Sequence, residues 1–400
     1  MDKRINIEEY NYELPEERIA QKPLPERAAS KLLFYDKGNI TEKTFRDINE
    51  CLPNNSFMIF NNTKVINARI FFKKETGAKI EIFCLEPIGK GIEKAFESMN
   101  ESEWNCLVGN ASKWRDEILV KDFTIDNKAV QLYAEKTRKD TDGFSIKFKW
   151  EGGYSFSEVM SNAGTTPLPP YIKRKAEISD GERYQTVFAD TEGSVAAPTA
   201  GLHFTKEVLN GLNERNICFD FITLNVGAGT FKPMKTNDVY EHRMHKEIFT
   251  VRKSFLENLL NNNHKKKIAI GTTSVRTLES LYWLGVFTEK DGFNIKQWEV
   301  YEFMSKDLPE PEQAIKNLIK RLDKSGTDTI EGSTSLMIIP GYKFKLVDIL
   351  VTNFHLPTST LLLLVSAFTG PDWKKIYEYA LNNDFRFLSY GDSSIIIPKD

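Results

Sequence analysis

The sequence predicts an α/β protein with a smaller all-β segment inserted into it. Hydrophobic residues make up 40% of the 400-residue chain and charged residues 28%, a balance typical of globular proteins. Strand and helix patterns alternate after about residue 154, whereas the helical period is absent between about residues 68 and 154. We therefore assign residues 1–67 and 155–400 to one discontinuous α/β domain, and residues 68–154 to an inserted antiparallel barrel or sandwich.

The first segment mixes helix and strand signals. Thr44 is placed to cap a short helix that carries Phe45 and Ile48 and ends at Pro53. The apolar run at 57–60 predicts a buried strand that stops at a polar Asn-Asn-Thr turn.

The inserted segment consists of short, partly alternating runs of β-branched and aromatic residues. Turns of Gly, Asn, Asp and Lys separate the runs at regular spacing, which is typical of a small antiparallel barrel. The runs are ARIFF, AKIEIFCLE, EWNCLVG, DEILVKDFTI, AVQLYAE and FSIKFKW.

The last segment alternates between helices and strands, which predicts a largely parallel sheet covered on both faces. Helical stripes or caps mark residues 205–212, 255–260, 275–285, 315–326, 359–368 and 373–381. The predicted strands are 218–224, 268–270, 336–339 and 347–351.

Composition excludes several classes of protein. The longest apolar run, Leu361 to Val365, is far shorter than the ~20 residues of a membrane-spanning helix. The acidic start has no apolar signal region, and the four cysteines form no CxxC pair, so we expect a cytoplasmic protein with reduced thiols. A net charge of −2 indicates no general attraction to nucleic acid and leaves only local basic patches, such as Lys173 to Lys175 beside Tyr171.

Polar or glycine-rich loops follow four of the predicted strands. If those strands are parallel, their tips meet at one edge of the sheet, where ligands bind in open α/β folds. The alternative is that any strand simply ends in something polar. The tips are Asn61, Thr63, Gly227, Gly229, Thr272, Thr273, Asn353 and His355.

Two of these loops resemble binding motifs. Gly227 and Gly229 form a G-x-G that is similar to the S-adenosylmethionine loop of Rossmann methyltransferases, but a third glycine is missing and Pro233 suits no helix start. The segment Gly271 to Arg276 opens a predicted helix, where amides, hydroxyls and a guanidinium suit a carboxylate or phosphate. Thr273 or Ser274 could equally serve only as a helix cap.

The histidines are the other candidates for chemistry. His242, His245 and Glu247 have the spacing of a metal site, but no further ligand cluster accompanies them, so we favour acid–base or substrate-binding roles. His203 and His355 could be functional or structural, and His264 lies in a solvated turn.

Ten short motifs occur in order along nearly the whole chain, and with them it resembles the S-adenosylmethionine:tRNA ribosyltransferase-isomerase family of the queuosine pathway. They are Glu13–Pro15, Pro25–Arg27, Asn61–Lys64, Pro167–Ile172, Arg183–Val187, Ala196–Phe204, Val226–Phe231, Glu241–Glu247, Gly271–Arg276 and Thr352–Pro357.

The resemblance implies an α/β/α sandwich domain interrupted by a small β-barrel. It also implies that S-adenosylmethionine donates a ribosyl group to 7-aminomethyl-7-deazaguanine at the wobble position of tRNA. The products would be epoxyqueuosine-tRNA, adenine and methionine, with no metal, no membrane and no obligate protein partner, and we expect a monomer.

That reaction suggests roles for particular side chains. His242, His245 or Glu247 would remove a proton beside the sulfonium, and His203 or His355 would protonate departing adenine. Thr272, Thr273 and Arg276 would bind the methionyl carboxylate. The wider predicted substrate-binding set adds Asn61, Thr63, Thr199, Gly201, Gly227, Gly229, Thr230, Ser274 and Asn353.

The chain departs from the family pattern at a few positions. Asn225 stands where the family usually has His, Ser393 and Ser394 replace Ala-Met, Lys31 and Lys64 replace arginines, and Asn67 replaces proline. These departures, together with the G-x-G loop at Gly227 and Gly229, keep two alternatives open. One is a divergent transferase, including a methyltransferase, that acts on another nucleobase, and the other is a non-catalytic RNA-binding relative.

Overall fold

The structure is a computed structural model that describes residues 4–140, 143–227, 234 and 236–399. Its strands are β1 (Lys31–Asp36), β2 (Asn39–Thr44), β3 (Ser56–Asn61), β4 (Thr63–Val65), β5 (Arg69–Lys73), β6 (Lys79–Pro87), β7 (Glu101–Gly109), β8 (Leu119–Ile125), β9 (Lys128–Lys139), β10 (Phe144–Trp150), β11 (Gly164–Thr165), β12 (Thr191–Ser194), β13 (Cys218–Asn225), β14 (Glu247–Arg252), β15 (Lys266–Ile270), β16 (Asn294–Ile295), β17 (Thr329–Thr334), β18 (Ile349–Asn353) and β19 (Ser393–Ile397). Its α-helices are α1 (Ile48–Cys51), α2 (Ile92–Phe96), α3 (Phe156–Ala163), α4 (Ile178–Arg183), α5 (Lys206–Glu214), α6 (Lys253–Asn261), α7 (Thr272–Val286), α8 (Pro311–Ser325), α9 (Thr360–Thr369) and α10 (Trp373–Asn382).

The larger sheet has ten strands in the order β16-β17-β14-β13-β3-β15-β18-β19-β1-β2. Its four central strands, β13, β3, β15 and β18, are all parallel to one another. Strands β14 and β19 run antiparallel to the central strands that they flank. In the flanks, β1 is also reversed, whereas β17, β16 and β2 run in the same direction as the central strands. The sheet is therefore largely parallel, as predicted, with β14, β19 and β1 as the exceptions.

An apolar core lies on each face of this sheet, because side chains of a strand point alternately to its two faces. In β3, Phe57 and Ile59 belong to the core formed with helices α6 to α10. Met58 and Phe60 belong to the core formed with α1 and α5. The fold is therefore mixed α/β, with helices packed against both faces of a central sheet.

The smaller sheet is antiparallel throughout, in the order β11-β5-β6-β7-β10-β9-β8. It curls so that β8 approaches β5, where Lys121 Nζ donates a hydrogen bond to the carbonyl of Phe71 at 3.1 Å. Among the described strands no ladder joins β8 to β5. The sheet is thus a curled antiparallel half-barrel, which confirms in part the antiparallel barrel or sandwich that we predicted.

The curled sheet has its own core, which includes Trp104, Phe148 and Trp150. Phe156 and Met160 of helix α3 pack into the same core, and β11 pairs with β5. Because α3 and β11 follow residue 154, the packing unit extends about ten residues past the predicted boundary. The division into two domains stays a prediction.

Local predictions differ from the structure at two places. Residues 336–339 were predicted to form a strand, but they follow β17 as irregular backbone, in which Met337 N donates to the carbonyl of Gln297. Thr44 precedes the short helical segment as predicted, yet its described side chain makes no capping bond. In the part of the chain that the structure describes, every helix is too short or too polar to cross a bilayer.

Candidate functional site

The carboxyl ends of the four central strands lie at one edge of the larger sheet. Parallel registers align β13 with β3, β3 with β15, and β15 with β18. The loops that follow these strands therefore meet, which is the arrangement that the polar tips predicted.

A cavity opens at this edge. Hydroxyl groups and one imidazole are set among apolar walls, a combination typical of small-molecule sites. The lining residues are Tyr171, Ala197, Pro198, Thr199, Ala200, Val226, Gly271, Thr272, Thr273, Thr352, Phe354, His355, Leu356, Ser359, Leu361, Leu388 and Ser389.

Helix α7 begins at the wall of this cavity. Gly271 precedes the helix with a φ of +88°, a conformation that favours glycine. Among the described residues, no side chain at the N-cap position accepts a hydrogen bond from the first amides of the helix. Thr272 and Thr273 form the first turn and line the cavity, whereas Ser274 Oγ bonds back to the carbonyl of Ile270 at 2.7 Å. The free amides of the first turn and the positive end of the helix dipole suit an anion.

His355 lies directly beyond β18 and is the one histidine among the described residues that line the cavity. Its Nε2 is 3.0 Å from Thr352 Oγ1, and its backbone N–H donates to the hydroxyl of Tyr377 at 3.0 Å. The carbonyl of His355 accepts a hydrogen bond from Tyr12. Burial lowers the pKa of His355 to about 3, so the imidazole is neutral near pH 7.

His203 lies in a neighbouring pocket instead of the cavity. Its Nδ1 is 2.9 Å from Ser30 Oγ, and its Nε2 is 3.3 Å from Asn353 Nδ2. Burial, and then the nearby Arg386, lower the pKa of His203 to about 3. Asn353 thus connects the end of β18 to His203, so each of these two predicted site residues contacts the other within the protein.

Glu247 and Arg276 pair with each other in the interior. The guanidinium of Arg276 donates to the Glu247 carboxylate, and both side chains are almost fully buried. Burial raises the pKa of Glu247, and the positive charge of Arg276 opposes that shift. Glu247 Oε1 and Arg276 Nε have no hydrogen-bond partner among the described residues. The guanidinium that we predicted to bind a substrate carboxylate therefore already holds a carboxylate of the protein.

His242 and His245 precede β14 and do not belong to the described lining of the cavity. His242 is half-buried, and burial followed by the proximity of His245 lowers its pKa. His245 is exposed. Within the described ranges no group of three or more His, Cys, Asp or Glu side chains is arranged to hold a metal ion.

The other predicted residues have mixed placements. Thr199 lines the cavity, while Gly201 packs beneath Phe188 and Thr186. Asn61 ties β3 to β13, since its Nδ2 donates to the carbonyl of Leu224 at 2.9 Å. Thr63 Oγ1 donates to Asn225 Oδ1 at 3.1 Å, and Gly227 follows β13 at the same edge. Gly229 and Thr230 lie outside the described residues.

Tyr171 and Ser389 are among the lining residues that sequence reasoning missed as small-molecule contacts. Tyr171 was considered only for stacking on RNA, beside its basic run, but its hydroxyl lies 2.6 Å from Ser389 Oγ and both residues line the cavity. The motif that contains Tyr171 was a usable signal, whereas no pattern marked Ser389. Near them, the hydroxyls of Ser393 and Ser394 donate to the carbonyl of Thr352 at 3.3 and 3.0 Å.

Comparisons with known proteins agree on one family. A family profile described as "Queuosine biosynthesis protein" matches residues 7–396. The S-adenosylmethionine:tRNA ribosyltransferase-isomerase of Sulfurihydrogenibium sp. is 37% identical over 98% of this chain and 100% of its own length. The proteins of the same name from Halothermothrix orenii and Clostridioides difficile are each 38% identical over 98% of this chain and all of theirs.

A solved structure is also similar. The crystal structure of S-adenosylmethionine tRNA ribosyltransferase from Thermotoga maritima is 29% identical and covers 97% of this chain and 99% of its own, with a TM-score of 0.47. The profile match and the full-length identities both rest on nearly the whole chain. The protein therefore belongs to the queuosine biosynthesis protein family, as its motifs predicted.

Proposed function

We propose that this chain is an S-adenosylmethionine:tRNA ribosyltransferase-isomerase. It transfers and isomerises the ribosyl group of S-adenosylmethionine onto 7-aminomethyl-7-deazaguanine at the tRNA wobble position. The products are epoxyqueuosine-tRNA, adenine and methionine. The observation that carries the proposal is the cavity at the carboxyl edge of the central strands, in a chain of this family.

The cavity fits the donor by the chemistry of its lining. The start of helix α7, with Thr272 and Thr273, offers amides and hydroxyls to the methionyl carboxylate. Ala197, Val226 and Phe354 supply apolar surface for the nucleoside. The helix start replaces Arg276 in this role, because Arg276 is engaged with Glu247.

We place the proton transfers on His355. The reaction needs a base for the proton on the carbon beside the sulfonium, and it needs a proton for departing adenine. A neutral imidazole accepts the first proton, and the imidazolium so formed is then an acid that can supply the second. The lowered pKa of His355 keeps the ring unprotonated near pH 7 and makes the imidazolium, once formed, a strong acid. The prediction that other side chains take part in these proton transfers is untested for His242, His245, Glu247 and His203.

Several finer features belong to the same proposal. The helices on both faces of the larger sheet support an α/β/α sandwich, and the curled sheet supports a β-barrel-like insertion. We infer that the enzyme meets tRNA in the cytoplasm, works without a metal and acts as a monomer.

The decisive experiment follows the small-molecule products. Purified protein is incubated with S-adenosylmethionine and tRNA that carries the aminomethyl-deazaguanine, and tRNA with an unmodified wobble guanine is the control. Mass spectrometry should find free adenine, methionine and the epoxyqueuosine nucleoside in the first reaction only. S-adenosylhomocysteine would instead indicate methyl transfer, and binding without turnover would indicate a non-catalytic relative.

A further inference from the structure

A second pocket lies beside the cavity and brings together two motif segments that have no role so far. It is smaller than the cavity, and Ser389 lines both of them. Arg27 comes from the first segment, Arg183 from the second, and Arg386 from the chain before β19. The full lining is Pro23, Leu24, Arg27, Ser30, Arg183, Leu202, His203, Arg386, Ser389 and Tyr390.

Backbone carbonyls hold the three guanidinium groups in place. Arg27 donates to the carbonyls of Gln185 and Glu182 at 2.8 Å and to that of Leu202 at 3.0 Å. Arg183 donates to the carbonyls of Pro25 at 3.0 Å and Leu24 at 2.7 Å. Carbonyls orient a guanidinium but do not neutralise its charge, so this cluster is fixed and remains cationic.

The positive charge of the pocket is only partly compensated. Arg386 forms a long ion pair with Asp392, with a separation of 3.4 Å. Neither Arg27 nor Arg183 forms an ion pair with a described carboxylate within 4 Å, and Arg183 Nε has no hydrogen-bond partner among the described residues. Burial and the charge of Arg183 lower the pKa of Arg27, although the exposed Glu182 opposes this shift. An anion in the pocket would relieve the repulsion between the guanidinium groups.

We propose that the arginine pocket is an anion subsite that holds a phosphodiester of the RNA substrate. Guanidinium groups bind phosphate oxygens through paired donors, which suits this cluster. The larger cavity has its own anion-binding element at the start of helix α7, so the carboxylate of the donor does not require the arginines. Because Ser389 lines both sites, a nucleotide whose base enters the cavity would keep its backbone near the pocket. The inference rests on the proposed function.

The test compares RNA binding and donor binding in the full-length protein. Arg183→Gln removes one charge without leaving a paired carboxylate, and Arg321→Gln is the matched control. Arg321 is also half-buried and also donates to backbone carbonyls, but it lies on helix α8 and contacts the end of helix α7 that is remote from the cavity. Binding of the anticodon stem-loop is measured from low to high salt, and binding of S-adenosylmethionine is measured separately.

Arg183→Gln should weaken RNA binding about tenfold, as expected for the loss of a charged hydrogen bond. The slope of log affinity against log salt should fall by about 0.7, which corresponds to one phosphate contact. Donor affinity should stay unchanged, and Arg321→Gln should behave like the wild type in both assays.

A second measurement changes the RNA instead of the protein, so its main result comes from the wild type and does not depend on how the variants fold. Wild-type protein is tested with stem-loops that carry one neutral methylphosphonate linkage at each position around the wobble nucleotide. At the position whose phosphate enters the arginine pocket, the neutral linkage should lower the affinity of the wild type. It should not lower the affinity of Arg183→Gln or Arg386→Gln any further, because these variants have already lost a contact to that phosphate.

Three results would overturn the inference. Loss of donor affinity with unchanged RNA affinity would assign the pocket to the methionyl carboxylate. Unchanged affinity for both ligands would make the arginines purely structural. Absence of epoxyqueuosine from the wild-type reaction would overturn the proposed function and this inference with it, whereas the first two results leave that function standing.

Discussion

At the scale of single residues, burial decides which side chains can exchange protons. His203 and His355 both have a pKa of about 3, because the protein interior disfavours the imidazolium. The two differ in access, since His355 faces the cavity and both ring nitrogens of His203 contact protein side chains. Access and not residue type therefore separates the two histidines.

Replacing His355 tests the proposed proton transfer. His355→Gln should lower kcat by about 10²- to 10⁴-fold, the usual contribution of a general acid–base group. The affinity for S-adenosylmethionine should change little, because glutamine retains the polar contact to Thr352. Single-turnover kinetics and calorimetric titration measure the two quantities.

His264→Gln is the matched control, since His264 is exposed and lies outside the lining of the cavity. Normal turnover by His355→Gln would contradict the proposed role.

At the scale of elements, helix α7 connects the cavity to the interior. Its first turn meets the cavity, Arg276 one turn later holds Glu247, and Glu279 accepts bonds from the segment before β18. One helix thus supports the site at its start and is anchored by buried charged groups along its length.

The start of α7 can be tested with isosteric substitutions. Thr273→Val removes a hydroxyl from the cavity and should raise the Kd for S-adenosylmethionine about three- to tenfold, the value of one hydrogen bond. Thr277→Val is the control, because among the described residues Thr277 Oγ1 donates only to the carbonyl of Thr273 within the helix, at 3.1 Å. Equal effects of the two substitutions on Kd would argue against a donor contact at Thr273.

Glu279 predicts a pH-dependent stability. It accepts bonds from Tyr342 Oη and Leu346 N, both at 2.9 Å, yet burial raises its pKa from 4.5 to about 7. The folded protein therefore binds this proton more tightly than the unfolded chain, and the stability from Glu279 falls as pH rises from about 4.5 to 7. Glu279→Gln should gain stability relative to the wild type between pH 5 and 8, as measured by urea unfolding.

The two buried histidines act in the opposite direction, because their lowered pKa makes stability rise with pH up to about 6.5. The wild type and Glu279→Gln share this contribution, so it cancels when the free energy of unfolding of one is subtracted from that of the other. Glu312→Gln alters an exposed glutamate on α8. Its difference in unfolding free energy from the wild type should not change between pH 5 and 8. If the stability difference between Glu279→Gln and the wild type were also independent of pH, it would contradict the raised pKa of Glu279.

At the scale of the whole molecule, two sheets with separate cores share one chain. The cavity is built from the larger sheet and the loops around it, and no residue of the curled sheet belongs to its described lining. Substitutions in the core of the curled sheet should therefore leave the cavity lining intact.

A core deletion in the curled sheet tests that separation. Phe156 is fully buried and its ring centroid lies 5.2 to 5.5 Å from those of Trp104, Phe148 and Trp150. Phe156→Ala should cost about 3 to 5 kcal/mol in the unfolding of that sheet. The Kd for S-adenosylmethionine should stay unchanged below the unfolding transition.

Phe255→Ala, an equal deletion in the core of the larger sheet, should weaken donor binding as well as stability. Loss of donor binding in Phe156→Ala would mean that the two sheets fold as one unit.

Patterns in the sequence predicted much of the local structure. Thr205 caps α5, Gly326 ends α8 with a φ of +66°, and the all-apolar stretch that became α9 is buried. The family could be identified because its motifs are short, contiguous and in order. These features depend on neighbouring residues, which a linear pattern records directly.

Local patterns in the chain were enough to predict the alternation of helices and strands, a β-rich segment among them and the family. The three-dimensional fold was needed to show that no ladder joins β8 to β5 among the described strands, that Arg276 pairs with Glu247, and that His355 and not His203 lines the cavity. It also placed Tyr171 against Ser389, which lies 218 positions further along the chain. Such contacts join residues that are distant in sequence, and burial then sets their charge, so no local pattern could have specified them.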